Sequence, residues 1–171
     1  LFFRQVFVLV FMAPALYQGF PGIFRANRAH LHLARILLSV VAMLTGFTAV
    51  VNMPLAEVTA ISFSRGLFTI PLAILILHET VGIRRWSATI VGFIGVLVIV
   101  RPTPENVNIY ALLALGSAFL VAFILIITRT LAQTERPATI MVYHSFGLTL
   151  LLAAPAVYFW VTPTLDELIL M

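Results

Sequence analysis

The chain has 171 residues, of which 62% are hydrophobic and 9% charged, against about 45–50% apolar and about 25% charged in a soluble domain. So little polar surface cannot cover a soluble fold, which excludes a soluble enzyme, a nucleic-acid-binding module and a disordered tail; the composition is that of an all-α, polytopic membrane protein. The net charge of +4 rests on ten arginines and no lysine, and these lie between apolar runs rather than in one patch, so basicity here reads as membrane topology.

Six apolar runs follow one another, at about 2–19, 33–52, 56–77, 86–100, 109–128 and 138–161. Most approach the ~20 residues that a helix needs to cross a bilayer. The chain opens on Leu1 inside an apolar run, with no basic segment before it; a fragment is the expectation, and a signal peptide is not. The fourth run is short, rising about 22 Å as a helix from Trp86 to Val100. Arg84, Arg85 and Arg101 bracket it and can snorkel to the headgroups.

The connections carry the breakers. Gly19 to Gly22 with Pro21, Pro54, Gly82, Pro102 with Pro104, and Pro137 mark five short links, and links this short make neighbouring helices antiparallel. Arg25, Arg28, Arg35, Arg84, Arg85, Arg129 and Arg136 all fall at the first, third and fifth links. The excess of positive charge places those links in the cytoplasm. The second and fourth links, and both visible ends, then lie outside. Tyr110, Tyr158, Trp160 and Trp86 fall at the interfaces this layout implies.

Ala13-Pro14-Ala15-Leu16-Tyr17 in the first run matches Ala154-Pro155-Ala156-Val157-Tyr158 in the sixth. Two spans five apart point in opposite directions, so a five-span repeat would be inverted, as in many secondary transporters.

Polar residues inside the spans are few. Arg65 lies too deep in the third run for easy escape to either interface, where a guanidinium costs about 2.5–3.5 kcal/mol to insert. It must face protein or water. Thr59, Ser62, Arg65 and Thr69 share one stripe. Two readings stand: a cavity wall whose cation meets an anionic substrate group, or a structural arginine bonded to backbone carbonyls. Thr45, Thr48 and Asn52 form a second stripe on the preceding run; they can meet a substrate or bond back to their own helix. Pro71 should kink the third span. Ala88, Gly92 and Gly95, and separately Ala114, Ala118 and Ala122, make small faces that allow close helix packing. Glu79 is expected to pair with Arg84 and Arg85. Glu57 sits near the outer interface, within reach of water or of a proton-coupling role. His144 reads as a packed or interfacial histidine, and Arg4 as a membrane charge only if helix precedes it.

No HExxH, GxSxG or P-loop occurs, and no carboxylate cluster could hold a metal. With no cysteine, disulfides and thiol nucleophiles are excluded too. Neither an enzyme nor a cofactor is expected.

Pro54 to Phe63, Leu77 to Trp86 and Gly92 to Pro102 resemble the EamA domain of the drug/metabolite transporter superfamily, closely over about residues 35–102. Leu1 to Arg4 is similar to the start of that domain's second helix. Residues 109–161 agree only in hydropathy and in the Ala-Pro-Ala echo. The resemblance implies ten spans in two inverted five-helix repeats around a central cavity. Residues 1–102 would be the first repeat without its first span, and 103–171 the first two spans of the second. Members move amino acids, S-adenosylmethionine, sugars or small cations, and this pattern is most similar to the bacterial metabolite and S-adenosylmethionine-type carriers. One departure is that Ser64-Arg65-Gly66 stands where many members have a small residue or Ala and then Pro.

The expectation is therefore a secondary carrier of a small polar metabolite in a bacterial inner membrane, multi-pass, working by alternating access. Arg65 would hold an anionic group, with Ser62, Thr69, Thr48 and Asn52 as hydrogen-bond partners. The expected partners are the lipid bilayer and the metabolite, with a homodimer open and no nucleic acid. The competing expectation is a non-transporting membrane subunit or truncated product that needs a partner repeat.

Overall fold

The computed structural model describes residues 28–100 and 109–158, with residues 7, 8 and 10. Most of the expected first span with its Ala-Pro-Ala stretch, Arg4, Arg25, the fourth link and Trp160 lie outside the described residues. Every regular element among those described is helical: α1 Ala29–Asn52, α2 Leu55–Ser62, α3 Arg65–Leu77, α4 Ile83–Val100, α5 Ile109–Ala132 and α6 Pro137–Tyr158. Ala29–Asn52, Leu55–Leu77 and Ile109–Ala132 are long and apolar enough to cross a membrane. This is a polytopic helical membrane protein.

α1 ends because Met53 is extended (φ −135°, ψ 154°) ahead of Pro54, the conformation a following proline imposes. The Pro54 carbonyl then accepts from Glu57 and Val58, and the Glu57 carboxylate in the first turn of α2 suits the positive end of the helix dipole. α1 and α2 are thereby joined by two residues and run antiparallel.

In the third span α3 runs through Pro71 as one helix, and a break that the sequence reading did not anticipate comes earlier, at Phe63–Ser64. There the ladder tightens: Phe63 donates to the Ala60 carbonyl, Ser64 to Ile61 and Gly66 to Phe63. The hydroxyls of Ser62 and Ser64 take the Thr59 and Ile61 carbonyls at 2.6 Å each. Competition of serine hydroxyls for helical carbonyls, next to a glycine, is a recognised cause of such a break.

α4 begins at Ile83, three residues before the expected start. Its 18 residues rise about 27 Å, so Arg84 and Arg85 are helical and sit at the end of a span of nearly full length.

α5 is the hub. It packs most extensively on α1, then on α3 and α2. Its face toward them is the expected small stripe: Ala114, Ala118 and Ala122 are 4%, 4% and 1% exposed. Two apolar seams result. One end holds Ala49, Met53, Val58 and Ala114; the other holds Ile127, Leu131 and Ile140, flanked by Leu31, Leu38 and Phe123. The other small stripe behaves differently. Ala88 is exposed, and a Cβ added at Gly92 or Gly95 would meet nothing within 4 Å, so no described helix packs on that face.

The three arginine-bearing links meet at one end. Arg129 pairs with Glu79 at 3.6 Å, and the Arg28 amide donates to Glu135 Oε1 at 3.2 Å. Glu79 thus faces Arg129 rather than the Arg84 and Arg85 that the sequence spacing suggests. The helix dictates this: α3 closes on His78 in the left-handed region, and the Glu79 amide folds back onto the Ala73 carbonyl. That turn brings the carboxylate to α5.

Candidate functional site

Between the two apolar seams, α1, α2, α3 and α5 leave a cleft of about 160 Å³ lined by Gly46, Val58, Ser62, Arg65, Ala114, Ser117, Ala118 and Val121. Arg65 is the eleventh residue of the 23-residue Leu55–Leu77 segment, so the cleft is near the middle of the span. The break at Phe63–Ser64 sets its position, because the tightened turn ends with Arg65 as the first residue of α3.

Arg65 lines this cleft and is exposed, and among the described residues no carboxylate pairs with it. Ser62 lines the same cleft. Its hydroxyl proton goes to Thr59, which leaves oxygen lone pairs as what it can offer a ligand. The other expected partners lie off the lining. Thr69 donates to the Arg65 carbonyl at 2.7 Å, Thr48 to Leu44 at 2.8 Å, and the Asn52 side-chain amide to Thr48 at 2.7 Å. Thr45 and Thr59 bond back in the same way.

The sequence reading missed Gly46 and Ser117. The Ser117 hydroxyl donates across the helix interface to the Ala42 carbonyl at 2.8 Å. A Cβ at Gly46 would come within 2.9 Å of that oxygen, so only glycine lets the two helices approach and the serine hold this rotamer. The signal was present as a glycine in α1 opposite the alanine stripe of α5, but nothing in either helix alone says they face each other. Beside the cleft, the Phe68 and Phe119 rings meet edge-on at 5.4 Å, and Phe119 and Phe123 are 6.5 Å apart.

A cation in a small, largely apolar mid-membrane cleft, flanked by serine oxygens, can bind a compact polar group that carries negative charge. A guanidinium left unpaired in such a place is expensive unless water or a ligand meets it.

The EamA-like transporter family matches residues 1–101. The chain is 30% identical over 99% of its length to the S-adenosylmethionine uptake transporter of Rickettsia bellii (strain RML369-C), covering 58% of that protein. It is 32% identical over 90% of its length to the riboflavin transporter of Brucella anthropi, covering 54%. It is 34% identical over 72% of its length to the riboflavin transporter of Vibrio cholerae serotype O1, covering 43%. The chain therefore spans about half the length of these curated relatives. No solved structure matches it. With the family's pattern running through more than half of its residues, this membrane protein belongs to the EamA-like transporter family.

Proposed function

We propose that this chain is part of a secondary carrier that moves a small polar metabolite across a bacterial inner membrane by alternating access. The observation that carries the reading is Arg65, a mid-span cation at a helix break, open to a cleft that three spans enclose. The relatives named for S-adenosylmethionine and riboflavin uptake support a metabolite as cargo. In this reading residues 1–102 belong to a first repeat and 103–171 to a second, with the cleft between them.

Arg65 grips an anionic group of the cargo. Ser62 supplies an acceptor, and Thr69, Thr48 and Asn52 are partners that the cargo meets as it moves along the spans. The guanidinium presents a planar fork of donors, which an ammonium does not. The test is uptake of radiolabelled S-adenosylmethionine and riboflavin by cells expressing the whole protein. Arg65→Gln abolishes uptake with membrane insertion unchanged, and Arg65→Lys restores only part. Full uptake by Arg65→Gln would overturn the assignment.

A further inference from the structure

The Arg-rich end carries a second polar assembly that the cleft does not use. His32 in α1 and Glu135 in the α5–α6 link place Nε2 and Oε2 2.6 Å apart, with side chains 3% and 2% exposed. Toward an ionised carboxylate the ring nitrogen is the donor. The other Glu135 oxygen accepts the Arg28 amide, and the His32 ring stacks on Tyr143 of α6 at 4.7 Å. One turn further along α1, Arg35 donates to the Ile140 carbonyl at 3.2 Å, while its buried Nε has no hydrogen-bond partner.

Each of these contacts ties the start of α1 to the α5–α6 region. His32 and Arg35 lie inside the stretch that the family pattern covers, and Glu135, Ile140 and Tyr143 lie beyond its end. If the chain works by rocking one repeat against the other, this seam closes the cleft toward the Arg-rich side.

We infer that the His32–Glu135 pair is the inner latch of the transport cycle, the contact that must part for the cleft to open toward the Arg-rich side. This rests on the transport reading above.

The chemistry suits a contact that parts reversibly. A buried, hydrogen-bonded polar pair adds little stability over an apolar pair of similar size, so it is a poor choice for a permanent seam. Its two halves are well solvated when separated, whereas an apolar seam exposes surface to water on opening. The unpartnered Arg35 nitrogen acts in the same direction, because water can satisfy it only in the open form. The closed form thus holds several charge-assisted bonds and one unmade one, as a two-state element requires.

Side-specific labelling tests this. The chain has no cysteine, so Val121→Cys at the cleft, in a whole protein otherwise free of cysteine, reports access to a membrane-impermeant maleimide. Labelling is compared in right-side-out and inverted vesicles. His32→Ala and Glu135→Ala each raise labelling from the Arg-rich face about tenfold over the parent, within the usual range of coupling between states. The exchange of both, His32→Glu with Glu135→His, returns it toward the parent value. Unchanged labelling in the folded single variants overturns the latch.

Should the alanine variants fail to fold, His32→Cys with Glu135→Cys, bridged by a reducible bis-thiosulfonate, takes their place. Uptake of S-adenosylmethionine or riboflavin is then lost on bridging and restored by reductant; uptake undiminished by the bridge overturns the latch. Absence of any uptake by the parent protein overturns the transport reading instead, and the labelling ratio still decides the latch.

Discussion

Two regions of this molecule hold charge away from water, and they do so in opposite ways. At the Arg-rich end, Glu135 is met by His32 and by the Arg28 amide, and almost nothing is left open. At the cleft, Arg65 stands with serine oxygens and small apolar side chains around it, and among the described residues no anion answers it. In the first arrangement the carboxylate is met from within the protein and ties the start of α1 to the α5–α6 link. The second leaves the guanidinium without an anion from the described residues. Under the proposed function an entering group completes it, because lipid offers no hydrogen bonds to make up the difference.

The largest effect expected from breaking this contrast lies in stability. Glu135→Ala leaves the buried His32 and the Arg28 amide without their partner, and should lower unfolding stability in detergent by about 3–5 kcal/mol, as loss of one member of a buried pair does. Arg65→Ala removes a side chain that no described carboxylate holds, and should change stability by less than about 0.5 kcal/mol while uptake disappears. Thermal melts of the two variants check this. Comparable destabilisation by Arg65→Ala would mean that the arginine is structural.

A steric test comes next. Gly147 lets α6 approach α1 so closely that an added Cβ would meet the Ile36 side chain, with Cγ1 at 3.1 Å. Gly147→Ala must push the helices apart at a seam that the Arg35–Ile140 contact also spans. A cost of about 1–3 kcal/mol is expected, typical of overpacking, and the melting temperature reads it.

The two glycine environments sharpen the comparison further. Gly46→Ala drives a methyl group to within 2.9 Å of Ser117 Oγ, so the hydroxyl must turn from the Ala42 carbonyl. The loss should be about 1–2 kcal/mol, the cost of a strained contact with an unmade hydrogen bond, and the cleft should shrink. Gly92→Ala meets nothing within 4 Å and should gain about 0.5–1 kcal/mol from helix propensity alone. Opposite signs in the two melts are the expected outcome. A loss at Gly92 as well would show that its face is covered in the whole protein.

Much of this layout is legible in the sequence, for reasons that can be named. Spans follow from hydropathy and links from prolines and glycines. The sharing of one end by the Arg-bearing links follows from arginine placement, and the Ala114–Ala118–Ala122 face from a period of four along one helix. These are properties of single segments. Arg65 was legible because one charge in an apolar run stands out whatever surrounds it. What single segments cannot show is which faces meet. His32 and Glu135 are 103 residues apart, and each looks like an ordinary residue at a helix end. Ser117 and Gly46 acquire meaning only when α1 lies on α5. The break at Phe63–Ser64 was missed because Pro71, the stronger signal on paper, removes only one donor, whereas two serine hydroxyls and a glycine act together a little earlier in the span. The stripe of Thr48 and Asn52 was real as geometry, yet both side chains bond back to α1.

The smallest expected effect concerns the turn that presents Glu79. His78 sits at φ 52°, ψ 30°, a conformation that costs a residue with a Cβ roughly 1–2 kcal/mol and that glycine adopts freely. His78→Gly removes that strain but also loosens the unfolded chain, so a net gain of about 0.5 kcal/mol is expected. The Arg129–Glu79 pair beside it is 43% and 39% exposed at its two side chains, and exposed pairs contribute little; Glu79→Gln should therefore cost less than about 0.5 kcal/mol. Together the two variants ask whether the Arg-rich end is held at its surface or in its interior. If both melts shift by no more than these small amounts while Glu135→Ala shifts by several times as much, the seam is held by the buried pair and its neighbours. A large loss from Glu79→Gln would move that role to the exposed pair.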